Sequence, residues 1–259
     1  MTRIPLSHTV HGSGPGILLA HGGGGSIESN YGSLIPALAE QHTVVAPDYP
    51  GSGETPVAED GFTIDDLADS IVGAADEAGL ETFTLVGFSL GTLVSVRTAT
   101  RYPERVRGLV LTAGLPRPDN RVTTALGIWR ALLSQGDLAT FARFNLLSAF
   151  SEEYVNALPA EEVADLLAQM AAKVPAGTFG QAGAILNGDT TADLPGISVP
   201  SLVIATTGDT LVAPDNSRVL ADGIPGAEYA EIASGHLPML EQPEEWRKLI
   251  LDFLARKGL

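Results

Sequence analysis

Residues 85–92 read Leu-Val-Gly-Phe-Ser-Leu-Gly-Thr, a single serine, Ser89, set between Gly87 and Gly91. The apolar run before it predicts a strand, and residues 90–103 predict a helix stopped by a proline. The spacing has a physical reason. A sharp strand-to-helix turn lifts the serine side chain out of the sheet and packs the residues two before and two after it together. A Cβ at either position would clash, and glycine has none. The free N–H groups of the first helical turn and the positive end of its dipole then face any charge that develops beside the serine. A glycine-lined bend with a bystander serine shows the same five residues. The catalytic reading therefore needs a base, an acid and oxyanion donors elsewhere in the chain.

Working outward, five more apolar runs end in turn residues: 16–22, 42–53, 106–114, 201–209 and 227–236. Runs of this kind suit strands buried on both faces. Helical spacing lies between them. Ile64, Leu67, Ala68, Ile71, Val72 and Ala75 share a stripe behind an N-cap-like Thr63. Trp246, Leu249, Ile250, Phe253 and Leu254 share another. The alternation predicts an α/β fold, a doubly wound and mostly parallel sheet with helices on both faces. Residues 117–189 break it. No strand is legible there, while Val122, Ala125, Leu126, Trp129 and Leu133, and later Val163, Leu166, Leu167 and Met170, follow helical spacing. The expected organisation is a core of residues 1–116 and 190–259 with a helical cap of residues 117–189 over the carboxyl ends of the strands, where open α/β sheets bind ligands.

Composition narrows the function. Of 259 residues 44% are hydrophobic, which argues against a disordered chain. Fifteen basic against 31 acidic residues give a formal charge of −16, so the chain repels nucleic-acid phosphates. The absence of cysteine excludes disulfides, a thiolate nucleophile and Cys-ligated metals. The first 16 residues carry no apolar signal-peptide core, and no run is long enough to span a bilayer. The expectation is a cytoplasmic protein with neither membrane nor nucleic-acid partner. Its oligomeric state is open, a homo-oligomer included.

The base is sought among five histidines. His8 and His11 belong to an edge strand, His42 is expected at the surface, and His21 is expected to hold its loop by hydrogen bonds. His236 lies in a loop after the last strand, on the same edge as Ser89, and is the candidate general base and later acid. Asp209, directly after a strand, is the candidate acid, with Asp119 the runner-up; Asp48 reads as a loop-shaping turn residue. The order Ser, Asp, His is that of the α/β-hydrolase triad. For the oxyanion, one donor is the N–H of Leu90. The other comes from the 21–26 loop, His-Gly-Gly-Gly-Gly-Ser, with Gly23 favoured by position and Gly22 and Gly24 near equivalents. That loop lacks the Gly-Lys-Ser/Thr ending or dinucleotide register of a phosphate-binding loop.

Taken together, HGGGGS, DYPGSGET, GFSLGT, YPERVRGLVL, TGDTLVAP and GHLPMLEQPEEW resemble the α/β-hydrolase superfamily, in family order over residues 12–116 and 195–259. The resemblance implies Ser89 as nucleophile, Asp209 as acid, His236 as base, an oxyanion hole at Gly23 and Leu90, and neither metal nor cofactor. The core most resembles small esterases, enol-lactonases and C–C-bond hydrolases. Serine in place of aspartate disfavours dehalogenase and epoxide-hydrolase chemistry, and Thr92 stands where many relatives carry glycine. The expected function is hydrolysis of a small or medium-sized carboxylic ester or lactone through an acyl-enzyme. The alternatives are a cofactor-free lyase, cyclase or acyltransferase, and a ligand-binding protein. Gly24, Trp129, Phe144 and Leu237 are candidate contacts to a small acyl substrate, with Phe141 and Phe150 as further apolar candidates in the cap.

Overall fold

The computed structural model describes residues 3–259. Seven strands form one sheet: β1 (His8–His11), β2 (Gly16–Ala20), β3 (Thr43–Pro47), β4 (Phe83–Phe88), β5 (Val106–Thr112), β6 (Ser201–Thr206) and β7 (Glu228–Ile232). Their spatial order is β1-β3-β2-β4-β5-β6-β7. All six strands expected from the apolar runs are present. The seventh, β1, carries His8 and His11 on the edge and pairs antiparallel with β3, His8 opposite Pro47. Every other neighbouring pair is parallel. The carboxyl ends of β2, β3, β4, β5, β6 and β7 therefore share one edge, which brings six loops distant in sequence together.

The strands are apolar on both faces because both faces are covered. Leu18, Leu85, Leu109, Leu111 and Val203 enter one core; Ile17, Leu19, Val86, Val110 and Ile204, pointing the other way, enter a second. The helices follow in chain order: α1 (Ile27–Tyr31), α2 (Ile35–Ala39), α3 (Ile64–Glu77), α4 (Leu90–Arg101), α5 (Asn120–Gln135), α6 (Leu138–Ala149), α7 (Glu152–Ala157), α8 (Ala160–Ala172), α9 (Thr178–Leu186), α10 (Pro214–Gly223), α11 (Pro238–Glu241) and α12 (Pro243–Lys257). The stripe read from α3 lies in the first core with residues of α4 and α10; that of α12 packs in the second with α1 and α2. Helix α3 starts at a reciprocal capping box between Thr63 and Asp66.

Five helices, α5 to α9, intervene between β5 and β6. Trp129, Phe141, Leu146, Phe150 and Ile185 from these helices join the first core. Helix α5 begins at Asp119, whose carboxylate accepts the Val122 N–H, and ends at Gly136 in the left-handed region at φ 69°. Among the described residues, no helix is long and apolar enough to cross a membrane.

One expectation is corrected here. His42 is buried rather than at the surface. Its Nδ1 lies 3.0 Å from the Leu38 carbonyl and its Nε2 3.1 Å from the Leu259 main-chain oxygen, so the ring bridges the end of α2 and the last residue of the chain. The contact spans 217 positions, and no local pattern announces it.

Gly127 sits exposed inside α5, and a Cβ built there meets nothing within 4 Å. Gly127→Ala should therefore raise stability by about 0.5–1 kcal/mol, read as a higher urea midpoint at unchanged slope.

Candidate active site

The turn between β4 and α4 places Ser89 at φ 52°, ψ −115°, a strained conformation for a residue with a side chain. Both flanking glycines are required by contact. A Cβ at Gly91 would lie 1.8 Å from the Ala20 carbonyl oxygen of β2. One at Gly87 would lie 2.5 Å from both the Gly91 carbonyl oxygen and Ser95 Oγ. Thr92 fits because its hydroxyl donates to the Ser89 carbonyl at 2.7 Å and accepts the Leu115 N–H at 3.3 Å. Gly114 makes room for it: a Cβ there would lie 2.7 Å from Thr92 Cγ2.

Ser89 meets His236, which the loop after β7 brings to the same edge. His236 Nε2 lies 2.9 Å from Ser89 Oγ, and Nδ1 lies 2.6 Å from Asp209 Oδ2. With Nδ1–H donating to the carboxylate, Nε2 is left to accept the serine proton. The His236 N–H donates to the Ala149 carbonyl at 2.7 Å, and its ring packs 5.0 Å from that of Phe88, so the imidazole is held from behind.

Asp209 is buried and fully bonded. Its Oδ1 accepts the N–H groups of Leu211 and Val212 at 2.9 and 2.8 Å, and its Oδ2 also accepts the Thr206 hydroxyl at 3.1 Å. These donors satisfy oxygens that burial takes away from water. Asp119 is engaged elsewhere. Its oxygens accept Val122 N–H and Asn216 Nδ2–H, both at the start of helices, so it caps and does not face the imidazole.

The loop after β2 supplies a second wall. His21 is fully buried, with Nδ1–H donating to the Gly22 carbonyl at 2.8 Å and Nε2 accepting the Tyr49 N–H at 2.9 Å. Burial pushes its pKa down to about 4. This neutral ring ties loop 21–26 to loop 48–55. Asp48 adds a tie, accepting the Ile27 N–H at 2.7 Å, and burial raises its carboxyl above the usual range. The three candidate donors of the loop are not equivalent. Gly22 N–H donates to Asn30 Oδ1 and Gly24 N–H to Gln181 Oε1, each at 2.8 Å, whereas Gly23 N–H has no partner among the described residues. Leu90 N–H, in the first turn of α4, is free of an intrahelical partner by position. Neither Asn30 nor Gln181 was legible as a loop anchor, since each is a lone amide in an otherwise ordinary helix.

A cavity of about 740 Å³ opens over Ser89 and His236. Its wall is largely apolar, with Trp129, Phe141, Phe150 and Met170 from the inserted helices, and Trp129 meets Phe141 edge-on at 5.2 Å. Gly24, Trp129 and Leu237 line it, as do Phe141 and Phe150. Phe144 does not, which corrects its assignment. Phe141, Ala142, Asn145 and Ala149 form the cavity face of α6, and Phe144 lies roughly a third of a turn away, half-buried against the core. Asn145 brings an amide into this apolar wall, its Nδ2–H donating to the Phe141 carbonyl at 2.9 Å.

Residues 15–243 match the family model described as the alpha/beta hydrolase fold. The chain is 36% identical over 256 residues to the pyrrolizixenacetamide deacetylase of Xenorhabdus hominickii, across 98% of this chain and 96% of that protein. It is 31% identical over 259 residues to the putative carbamate hydrolase RutD of Variovorax paradoxus (strain S110), across 98% and 97%. It superposes on the crystal structure of the enol-lactonase from Burkholderia xenovorans LB400 with a TM-score of 0.82 at 26% identity, covering 96% of each chain.

His21 gives this edge a pH limit. Its folded pKa of about 4 lies below the ordinary 6.5, so the unfolded chain binds more protons between those values. Stability contributed by the neutral ring is complete above pH 6.5 and is lost as pH falls toward 4, by roughly 3 kcal/mol at most. Urea denaturation from pH 7 to 4 should show that loss, and His21→Gln should flatten the slope over this range.

Proposed function

The chain belongs to the α/β-hydrolase family, and from that premise we propose that it is a serine hydrolase cleaving a carboxylic ester or lactone through an acyl-enzyme. The observation that carries this reading is the unbroken line from Ser89 Oγ through His236 to Asp209 Oδ2, at 2.9 and 2.6 Å, beneath an apolar cavity. A buried, oriented imidazole against a strained serine favours catalysis over the ligand-binding alternative.

In the first step Ser89 Oγ attacks the carbonyl carbon, and its proton passes to His236 Nε2. The carbonyl oxygen takes up negative charge, which the N–H groups of Gly23 and Leu90 stabilise. Asp209 holds the imidazole in the tautomer that accepts, and stabilises the imidazolium that forms. Collapse of the intermediate expels the alkoxide, to which His236 returns the proton. Water, deprotonated by the same ring, then attacks the acyl-enzyme, and the acid leaves with Ser89 restored. For a lactone the alcohol and the acid remain one molecule. The partner is a small or medium-sized acyl compound, and residues 117–189 act as the cap that shapes its site. No step calls for a metal or a cofactor.

A second reading replaces the ester by an amide. It is favoured by the relative named as a deacetylase, which is the more similar of the two curated proteins described above. The same residues serve, except that His236 must protonate the leaving nitrogen before the C–N bond breaks.

Intact mass after treatment with a fluorophosphonate tests the reading. One adduct on the wild type and none on Ser89→Ala is expected, and adducts on both or on neither would overturn the assignment. Among acids, Asp209→Asn should lower kcat/KM by about 10⁴ through the wrong imidazole tautomer. Asp119→Asn should leave kcat/KM within a few-fold and cost about 1 kcal/mol of stability, because the new amide cannot accept the Asn216 Nδ2–H while it keeps the cap to Val122. Comparable losses in the two variants would move the acid.

A further inference from the structure

We propose that Gln181, on α9, is the positioning residue of the oxyanion hole, an inference that rests on the serine-hydrolase reading above. The peptide carrying the Gly23 N–H is bounded on three sides. Its own carbonyl, that of Gly22, accepts from His21 Nδ1–H at 2.8 Å. In a trans peptide the N–H points opposite to the carbonyl, so this bond sets the direction of the Gly23 N–H. The preceding N–H, of Gly22, is taken by Asn30 Oδ1 at 2.8 Å. The following N–H, of Gly24, is taken by Gln181 Oε1 at 2.8 Å.

His21 and Asn30 belong to the loop and to the helix that follows it. Gln181 stands 157 positions away, on an inserted helix, and is fully buried. Its amide has defined work on both ends. Nε2 donates to Ser52 Oγ at 2.9 Å and to the Pro50 carbonyl at 3.3 Å, and Ser52 Oγ donates in turn to the Gly25 carbonyl at 2.7 Å. The circuit from Gly24 N–H through Gln181 and Ser52 returns to Gly25, one residue from its start. It clamps the part of the loop that is hardest to hold otherwise, because Gly24 sits at φ +73° and glycine there resists no rotation. Helix α9 also closes on the neighbouring residue: a Cβ at Gly23 would lie 3.0 Å from Ile185 Cδ1.

The side-chain type is explained by the same geometry. The site needs one acceptor and one donor at the two ends of a planar group. An amide supplies both without charge, whereas a carboxylate would put negative charge beside an oxygen that must itself become negative. Gln181 touches no reacting atom. It acts through Gly24, fixing the peptide that follows the Gly23 N–H and so the orientation of that donor.

Fluorophosphonate labelling of Ser89 reads this hole without requiring the natural substrate. Ser89 Oγ attacks phosphorus, its proton passes to His236, fluoride leaves, and negative charge builds on the phosphoryl oxygen. In Gln181→Met the saturating labelling rate constant should fall by about tenfold to a hundredfold, less than outright loss of a donor. The half-saturating reagent concentration and the pH dependence of labelling should stay as in the wild type. Ser52→Ala, which removes only the far end of the circuit, should lower the same constant by a smaller factor. Wild-type rates in Gln181→Met overturn the inference. So does a slower rate accompanied by weaker reagent binding or a shifted pH profile, since these mark a distorted site and not a misplaced donor. If Gln181→Met does not fold, Ser52→Ala decides, and an unchanged rate there overturns it. A wild type that takes no label overturns the proposed function and this inference with it, whereas a labelled wild type with unaffected variants overturns this inference alone.

Discussion

The close crossing of α4 over β2 at Gly91 is the constraint on which the carboxyl edge of the sheet depends. With 1.8 Å between an imagined Cβ and the Ala20 oxygen, only glycine allows the helix to start where it does. That start sets the backbone of Ser89 in its strained region and turns the first-turn N–H groups toward the loop that follows β2. Strain of this kind costs on the order of 1–3 kcal/mol and persists only where its surroundings over-determine it. Here they do. Every residue of β4 is buried, as is most of α4 from Leu90 to Ala99, and the Ser89 N–H is itself bonded to the Thr112 carbonyl of β5 at 3.0 Å.

Two buried imidazoles divide the work of this edge, and their neighbours decide which does what. His236 has a carboxylate at one nitrogen and a hydroxyl at the other, the arrangement on which the proposed proton transfer relies. His21 has a carbonyl at one nitrogen and a backbone N–H at the other, which only a neutral ring can satisfy. The first can move a proton; the second fixes a peptide plane. Around them the Gly22 and Gly24 N–H groups are bonded to side chains, while the Gly23 N–H between them has no partner among the described residues and its residue lines the cavity. The inserted helices take part in this ordering. They supply the cavity wall, the carbonyl that holds the His236 backbone, and the amide that holds Gly24.

Much of this was legible along the chain. The six apolar runs became strands because runs bounded by turn residues need no partner information to be recognised. The glycines about Ser89 were legible because the clash they relieve is local and specific in spacing. Asp209 and His236 were legible because each directly follows a strand, and parallel strands deliver their loops to one edge. The misreadings have the opposite character. His42 reads as a surface residue because its partner, Leu259, lies at the other end of the chain. Phe144 was grouped with Phe141 by its chemistry, whereas the rotation of α6 about its axis assigns them to different faces.

What the sequence by itself determined is therefore the α/β class, the position of the serine turn, and the strand ends on which Asp209 and His236 sit. Those properties follow from short-range sterics and from hydrophobic period, which act over a few residues. The tertiary structure alone decided which carboxylate meets the imidazole, which glycine keeps an open N–H, and which side chains of the inserted helices face the cavity. Each of these depends on a hydrogen bond or a packing contact between residues tens to hundreds of positions apart. Such contacts exist only once the sheet has set the loops beside one another.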